Sequence, residues 1–77
     1  MSQGVNKYLR SIIANNVKIE RNKQKMSREK LSLLIGMDNS YISKLERCKM
    51  NATIDTLEKI AEILEINVLD LFKSNNE

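Results

Sequence analysis

A single glycine divides the middle of this chain into two short helices and leaves them almost no room to separate. Ser27 opens the first as an N-cap, and Glu29 sets a negative charge where the helix dipole favours one. Leu31, Leu34 and Ile35 follow as an apolar stripe at three- and four-residue spacing. Gly36 then stops the helix after only about eight residues, because glycine takes a positive φ without a Cβ clash. A second helix restarts at once, with Asp38 or Asn39 as its cap and Tyr41, Ile42 and Leu45 at helical spacing. Helices joined this tightly cross at roughly 90–120°. The crossing needs a small residue, and Ser32 stands there; it needs apolar anchors beside the turn, and Leu31, Ile35 and Met37 supply them.

The flanking segments read as further helices. Leu9, Ile12, Ile13 and Val17 mark one from Asn6 to about Gln24, with Arg21 and Lys23 near its C-terminus, where cations suit the dipole. Thr53 caps another, whose stripe is Ile54, Leu57, Ile60, Ala61 and Leu64. Asn67 caps a short fifth carrying Val68, Leu69, Leu71 and Phe72. Residues 1–5 and 74–77 lack periodicity and are expected to be loose. The 77 residues therefore read as one all-α domain of five helices, without proline and with only two glycines.

Composition excludes several classes. One cysteine, Cys48, and no histidine leave neither an internal disulfide nor the usual zinc ligand set, so no metal or other cofactor is expected. No phosphate-cradling glycine loop or nucleophile–base pair suggests an enzyme. No apolar run approaches the roughly 18 residues of a membrane span, and the lone thiol fits the cytoplasm. Charge is unevenly placed. Residues 1–50 hold eleven Lys/Arg against four Asp/Glu, a net +7, whereas residues 51–77 hold two against six, a net −4. That asymmetry fits a polyanionic partner or simply an unevenly charged surface.

The outward face of the helix after Gly36 favours the first. Solvated faces usually mix Glu and Lys, but this one carries Asn39, Ser40, Ser43 and Lys44. Asn pairs bidentately with adenine, Lys reaches guanine O6 and N7, and Ser bonds either partner. Met26-Ser27-Arg28-Glu29-Lys30-Leu31 and Tyr41-Ile42-Ser43-Lys44-Leu45-Glu46-Arg47 together resemble the Cro/cI-type (XRE) helix-turn-helix family. The likeness continues through Thr53-Ile54-Asp55-Thr56-Leu57 and Lys59-Ile60-Ala61 to Asp70-Leu71-Phe72, covering about Val17 to Phe72.

The resemblance implies a compact five-helix, lambda-repressor-like domain whose third helix enters the DNA major groove. It implies base reading by Asn39, Ser40, Ser43 and Lys44, and phosphate contacts from Arg28, Tyr41, Arg47, Lys49, Asn51 and Thr53. It also implies an orienting ion pair between Arg21 and Glu46. Where the family commonly places glycines after helices one, three and four, this chain has Lys25, Cys48 and Glu65. A redox role for Cys48 is disfavoured, since no second cysteine is present to resolve it. Ile63 and Leu69 are more apolar than the family pattern and, together with Ile66 and Val68, are expected to form a homodimer interface. Ile12 and Ile19 are a secondary candidate. The expected function is therefore sequence-specific binding of a palindromic double-stranded operator by a homodimer, without a small-molecule ligand. Small phage repressors and restriction-modification controllers both fit; the Tyr41-Ile42-Ser43 start and the Asn51-x-Thr53 loop look similar to the controllers. An antitoxin-like protein-interaction module is the alternative.

Overall fold

The computed structural model describes the backbone of residues 2–74 and the side chains of residues 8–74. Four α-helices follow one another: α1 (Ser2–Lys23), α2 (Arg28–Leu34), α3 (Tyr41–Glu46) and α4 (Ile54–Leu64). The fifth expected helix is instead a 3-10 helix over Val68–Phe72, so the chain is all-α with four α-helices among the described residues. Asn67 caps it, accepting the Leu69 amide at 2.9 Å. Helix α1 starts at Ser2 rather than near Asn6, because backbone helicity extends past the apolar pattern that marks it in the sequence. The expected loose ends fall partly outside the described residues, at 1 and 75–77; Ser74 lies 3.4 Å from the Tyr8 hydroxyl.

The core forms where all five elements meet. Val17 of α1, Leu31 of α2, Ile42 of α3, Ile60 and Leu64 of α4, and Leu71 of the 3-10 helix are all fully buried. Each such side chain contributes about 1.5–3 kcal/mol relative to remaining exposed. Three residues of the expected stripes are exposed, Leu9, Leu34 and Ile54, and Ile12 is half-buried outside the core cluster. Helix α2 buries the face carrying Leu31, Ser32 and Ile35, which turns Leu34 away. Ile54 is the first residue of α4, where the helix has only begun to meet the bundle.

One closure ends every α-helix. The amides of Met26, Met37, Lys49 and Ile66 reach back five residues to the carbonyls of Arg21, Ser32, Lys44 and Ala61, at 2.9–3.1 Å. The residue before each of these amides has positive φ: Lys25, Gly36, Cys48 and Glu65. This is the left-handed turn that satisfies orphaned helix carbonyls. Only Gly36 adopts it without strain, and no atom lies within 4 Å of where a Cβ would stand there. Its requirement is therefore conformational, not steric. Glu65, exposed at φ 60°, ψ 44°, carries the corresponding cost. Replacing Glu65 with Gly is expected to stabilise the protein by about 1 kcal/mol, read as a raised midpoint in urea. A lowered midpoint would show that the Glu65 side chain contributes more than its backbone strain costs.

Candidate nucleic-acid interface

The α2–α3 pair is locked at its crossing. The Ser32 side chain is completely buried; its hydroxyl donates to the Arg28 carbonyl at 2.8 Å and accepts the Ile42 amide at 2.9 Å. Smallness is legible in the sequence at this position, but the bond across to α3 is not. The start of α3 also differs from expectation. Neither Asp38 nor Asn39 is its N-cap; Ser40 is, and its side chain makes no capping bond. Asp38 instead accepts both the Ser40 amide at 3.0 Å and the Ser40 hydroxyl at 2.9 Å. Those bonds, the hydroxyl first, hold the Asp38 carboxyl below its ordinary range.

Arg28, Asn39, Ser40 and Ser43 line one surface groove of about 460 Å³, together with Arg21, Ser27 and Glu29. The sequence-derived reading face and the start of α2 thus converge. Asn39 and Lys44 are exposed, whereas Ser40 and Ser43 are half-buried. Tyr41 is half-buried against the core. Arg47 is exposed, its Nε donating weakly to the Ser43 carbonyl at 3.4 Å. Lys49, Asn51 and Thr53 are exposed along the loop into α4. The Thr53 hydroxyl accepts the Thr56 amide at 3.1 Å, so its side chain caps α4.

Behind the groove lies a buried ion pair. Arg21 Nε donates to Glu46 Oε2 at 2.7 Å and Nη2 to Oε1 at 3.1 Å, while Nη1 donates to the Met26 carbonyl at 2.8 Å. Both side chains are only 6% exposed. Arg28, half exposed, approaches the same carboxylate, with Nε 3.7 Å from Oε1. Glu46 therefore faces inward between two guanidinium groups, and its charge is compensated before any polyanion approaches.

The apolar candidates divide. Leu69 is 64% exposed, whereas Ile63, Ile66 and Val68 are half-buried and pack against the core. Ile63 shares a shallow groove with Leu34, Gly36, Lys59 and Glu62, which brings the exposed Leu34 toward α4. Ile12 and Ile19 are half-buried. Cys48 is a free, exposed thiol. Among the described residues no group of three or more His, Cys, Asp and Glu is placed to hold a metal. No described helix is long and apolar enough to cross a membrane.

Two positioning residues escape the sequence pattern. Asn16 is buried in α1 and donates from Nδ2 to the carbonyls of Leu71 and Lys73, at 2.9 and 2.8 Å, fastening the C-terminal segment. Gln24 Nε2 donates to the Leu64 carbonyl at 2.6 Å, closing the end of α4. Their partners lie 40 or more residues away, so local spacing carries no signal for either.

Comparison with known proteins agrees with this architecture. A helix-turn-helix family profile matches residues 17–71. The control protein C.SmaI of Serratia marcescens is 35% identical over 60 residues, covering 78% of this chain and 71% of that protein. A hypothetical transcription factor of Neisseria meningitidis is 32% identical over 63 residues, covering 82% of this chain and 59% of its own length. Among solved structures, the restriction-modification controller protein C.AhdI of Aeromonas hydrophila superposes with a TM-score of 0.79 at 27% identity. That match covers 86% of this chain and 96% of C.AhdI.

Proposed function

Because the chain belongs to the XRE-type helix-turn-helix family of DNA-binding regulators, we propose that it is a restriction-modification controller or closely similar small repressor, acting as a homodimer on a palindromic operator. The observation that carries this reading is the groove joining Arg28 to Asn39, Ser40 and Ser43. A face of amide and hydroxyl groups beside a guanidinium, with its one inward carboxylate already paired, suits base edges flanked by phosphate. Control proteins among its relatives favour the controller role over other regulators. The whole 77-residue chain acts as one DNA-binding domain in the cytoplasm, on the nucleoid.

Each protomer presents one six-residue reading helix, too little to specify a site alone. A two-fold dimer places two such helices about 34 Å apart, one DNA turn. The surface proposed for that contact is Leu69 with the edges of Ile63, Ile66 and Val68, extended by Leu34. Dimerisation would then set occupancy through protein concentration.

Selection of bound duplexes from a random pool tests the reading. A palindrome with half-site centres about 10 bp apart should emerge. On it, Asn39→Ala or Lys44→Ala should cost about 1–3 kcal/mol and relax preference at one base position, whereas Lys49→Ala should weaken selected and random duplexes alike. Leu69→Glu should leave a folded monomer that binds the palindrome poorly. A pool without enrichment would overturn the DNA-reading proposal and favour the protein-interaction module. Equal losses on selected and random DNA for Asn39→Ala would mean that the reading face lies elsewhere.

A further inference from the structure

The first turn of α3 is short of hydrogen-bond partners within its own segment. A helix begins with amides that no carbonyl of that helix can accept, and a side chain at the N-cap normally takes one of them. Here the N-cap is Ser40, whose hydroxyl is committed to Asp38 and makes no capping bond. Asp38 takes the amide of Ser40 through its carboxylate and that of Tyr41 through its carbonyl, the latter at 3.1 Å. The next amide, Ile42, is satisfied from a different helix altogether, by Ser32 Oγ at 2.9 Å. That hydroxyl has one proton, and it goes to the Arg28 carbonyl at 2.8 Å. A directed chain therefore runs from the first turn of α3 through Ser32 to the first residue of α2.

We infer that Ser32 is a positioning residue that sets the reading helix against Arg28. Both ends of the chain matter to the proposed DNA contact. Arg28 lines the same groove as Asn39, Ser40 and Ser43, and the backbone bond at Ile42 fixes where that stretch of α3 begins. The hydroxyl is the only polar atom of a side chain with no solvent exposure, so water cannot substitute for it without opening the crossing. Shape alone does not explain a serine here. Alanine would fill nearly the same space, leave the Ile42 amide unpaired, and let α3 pivot on its apolar anchors.

The inference rests on the DNA-reading role proposed above, and its test separates the two. Ile42 amide exchange, followed by NMR in free wild-type and Ser32→Ala protein, reads the cap without DNA. The wild-type amide should be protected, and Ser32→Ala should speed its exchange by at least roughly tenfold over neighbouring amides. Binding to the selected palindrome and to random duplex is then compared at a temperature where both proteins are fully folded. Preference for the palindrome should fall roughly tenfold while affinity for random DNA holds, since phosphate contacts tolerate a small pivot and base contacts do not. A residue that only stabilised the fold would lower the melting temperature and leave that ratio unchanged. Ser32→Cys, close in size with a weak acceptor, should fall between wild type and Ser32→Ala and serves if alanine prevents folding. Unprotected Ile42 in the wild type, or an unchanged preference in both variants, would overturn the inference. Wild-type protein that prefers no sequence would overturn the DNA reading instead, while the exchange at Ile42 still reports the cap.

Discussion

Glu46→Ala is expected to destabilise the protein by about 3 kcal/mol, because removing one partner of a buried ion pair leaves the other charged and dry. Arg21 is 6% exposed and would keep only its bond to the Met26 carbonyl, with Nε and Nη2 unpaired. A chain of this length has a stability on the order of 5–10 kcal/mol, so the variant loses a large share of it. The midpoint of thermal unfolding should drop by roughly 12–24 °C. Replacing both residues, as Arg21→Met with Glu46→Leu, should recover much of that loss, since apolar side chains of similar size avoid the desolvation cost altogether. The double variant should nevertheless read DNA less well, because Arg28 loses the carboxylate 3.7 Å from its Nε. Circular dichroism melts of the three proteins decide the matter. A Glu46→Ala midpoint within a few degrees of wild type would mean that water reaches Arg21 and the pair is effectively a surface one.

Features with local causes were legible in the sequence. Ser27, Thr53 and Asn67 cap their helices with bonds to amides two or three residues on, so residue type and position suffice to find them. Gly36 marks its turn for the same reason. Features decided by tertiary partners were not. Leu33 and Leu34 are adjacent in a seven-residue helix, too short for periodicity to say how far each turns from the core; both are exposed. At the start of α3, Asp38, Asn39 and Ser40 are all good caps by residue type, and the amide of Ile42 is taken by Ser32 of α2, a partner ten residues away that local pattern does not reveal. The face proposed to read DNA was chosen on composition, since Asn39, Ser43 and Lys44 remain where the stripe of Ile42 and Leu45 leaves them. Its convergence with Arg28 depends on the helix crossing and needed the structure. Lys25, Cys48 and Glu65 lie between these cases. The sequence shows only that glycine is missing there, and the structure shows the same left-handed closure formed at a cost.

Binding to the selected operator should weaken by about three decades between 50 and 200 mM salt, because each phosphate neutralised releases a condensed counterion. The proposed phosphate contacts include three cations in each protomer, Arg28, Arg47 and Lys49, and all three are exposed. A dimer thus brings six, for a slope of about −5 in log affinity against log salt, which over a fourfold salt range gives the stated loss. Of the residues lining the groove, Glu29 alone carries a carboxylate, and none comes from the acidic stretch beyond residue 51. The slope also counts protomers. Lys49→Ala should lower its magnitude by about 2 in a dimer and by about 1 in a monomer, independently of any effect on base preference. Isothermal or anisotropy titrations at four salt concentrations measure it directly. A wild-type slope near −2.5 would mean that one protomer binds alone, and the Leu69 surface would then need another occupant. A flat salt response would remove Arg28, Arg47 and Lys49 from the interface, leaving the groove between α2 and α3 without the phosphate anchors that fix its register on the duplex.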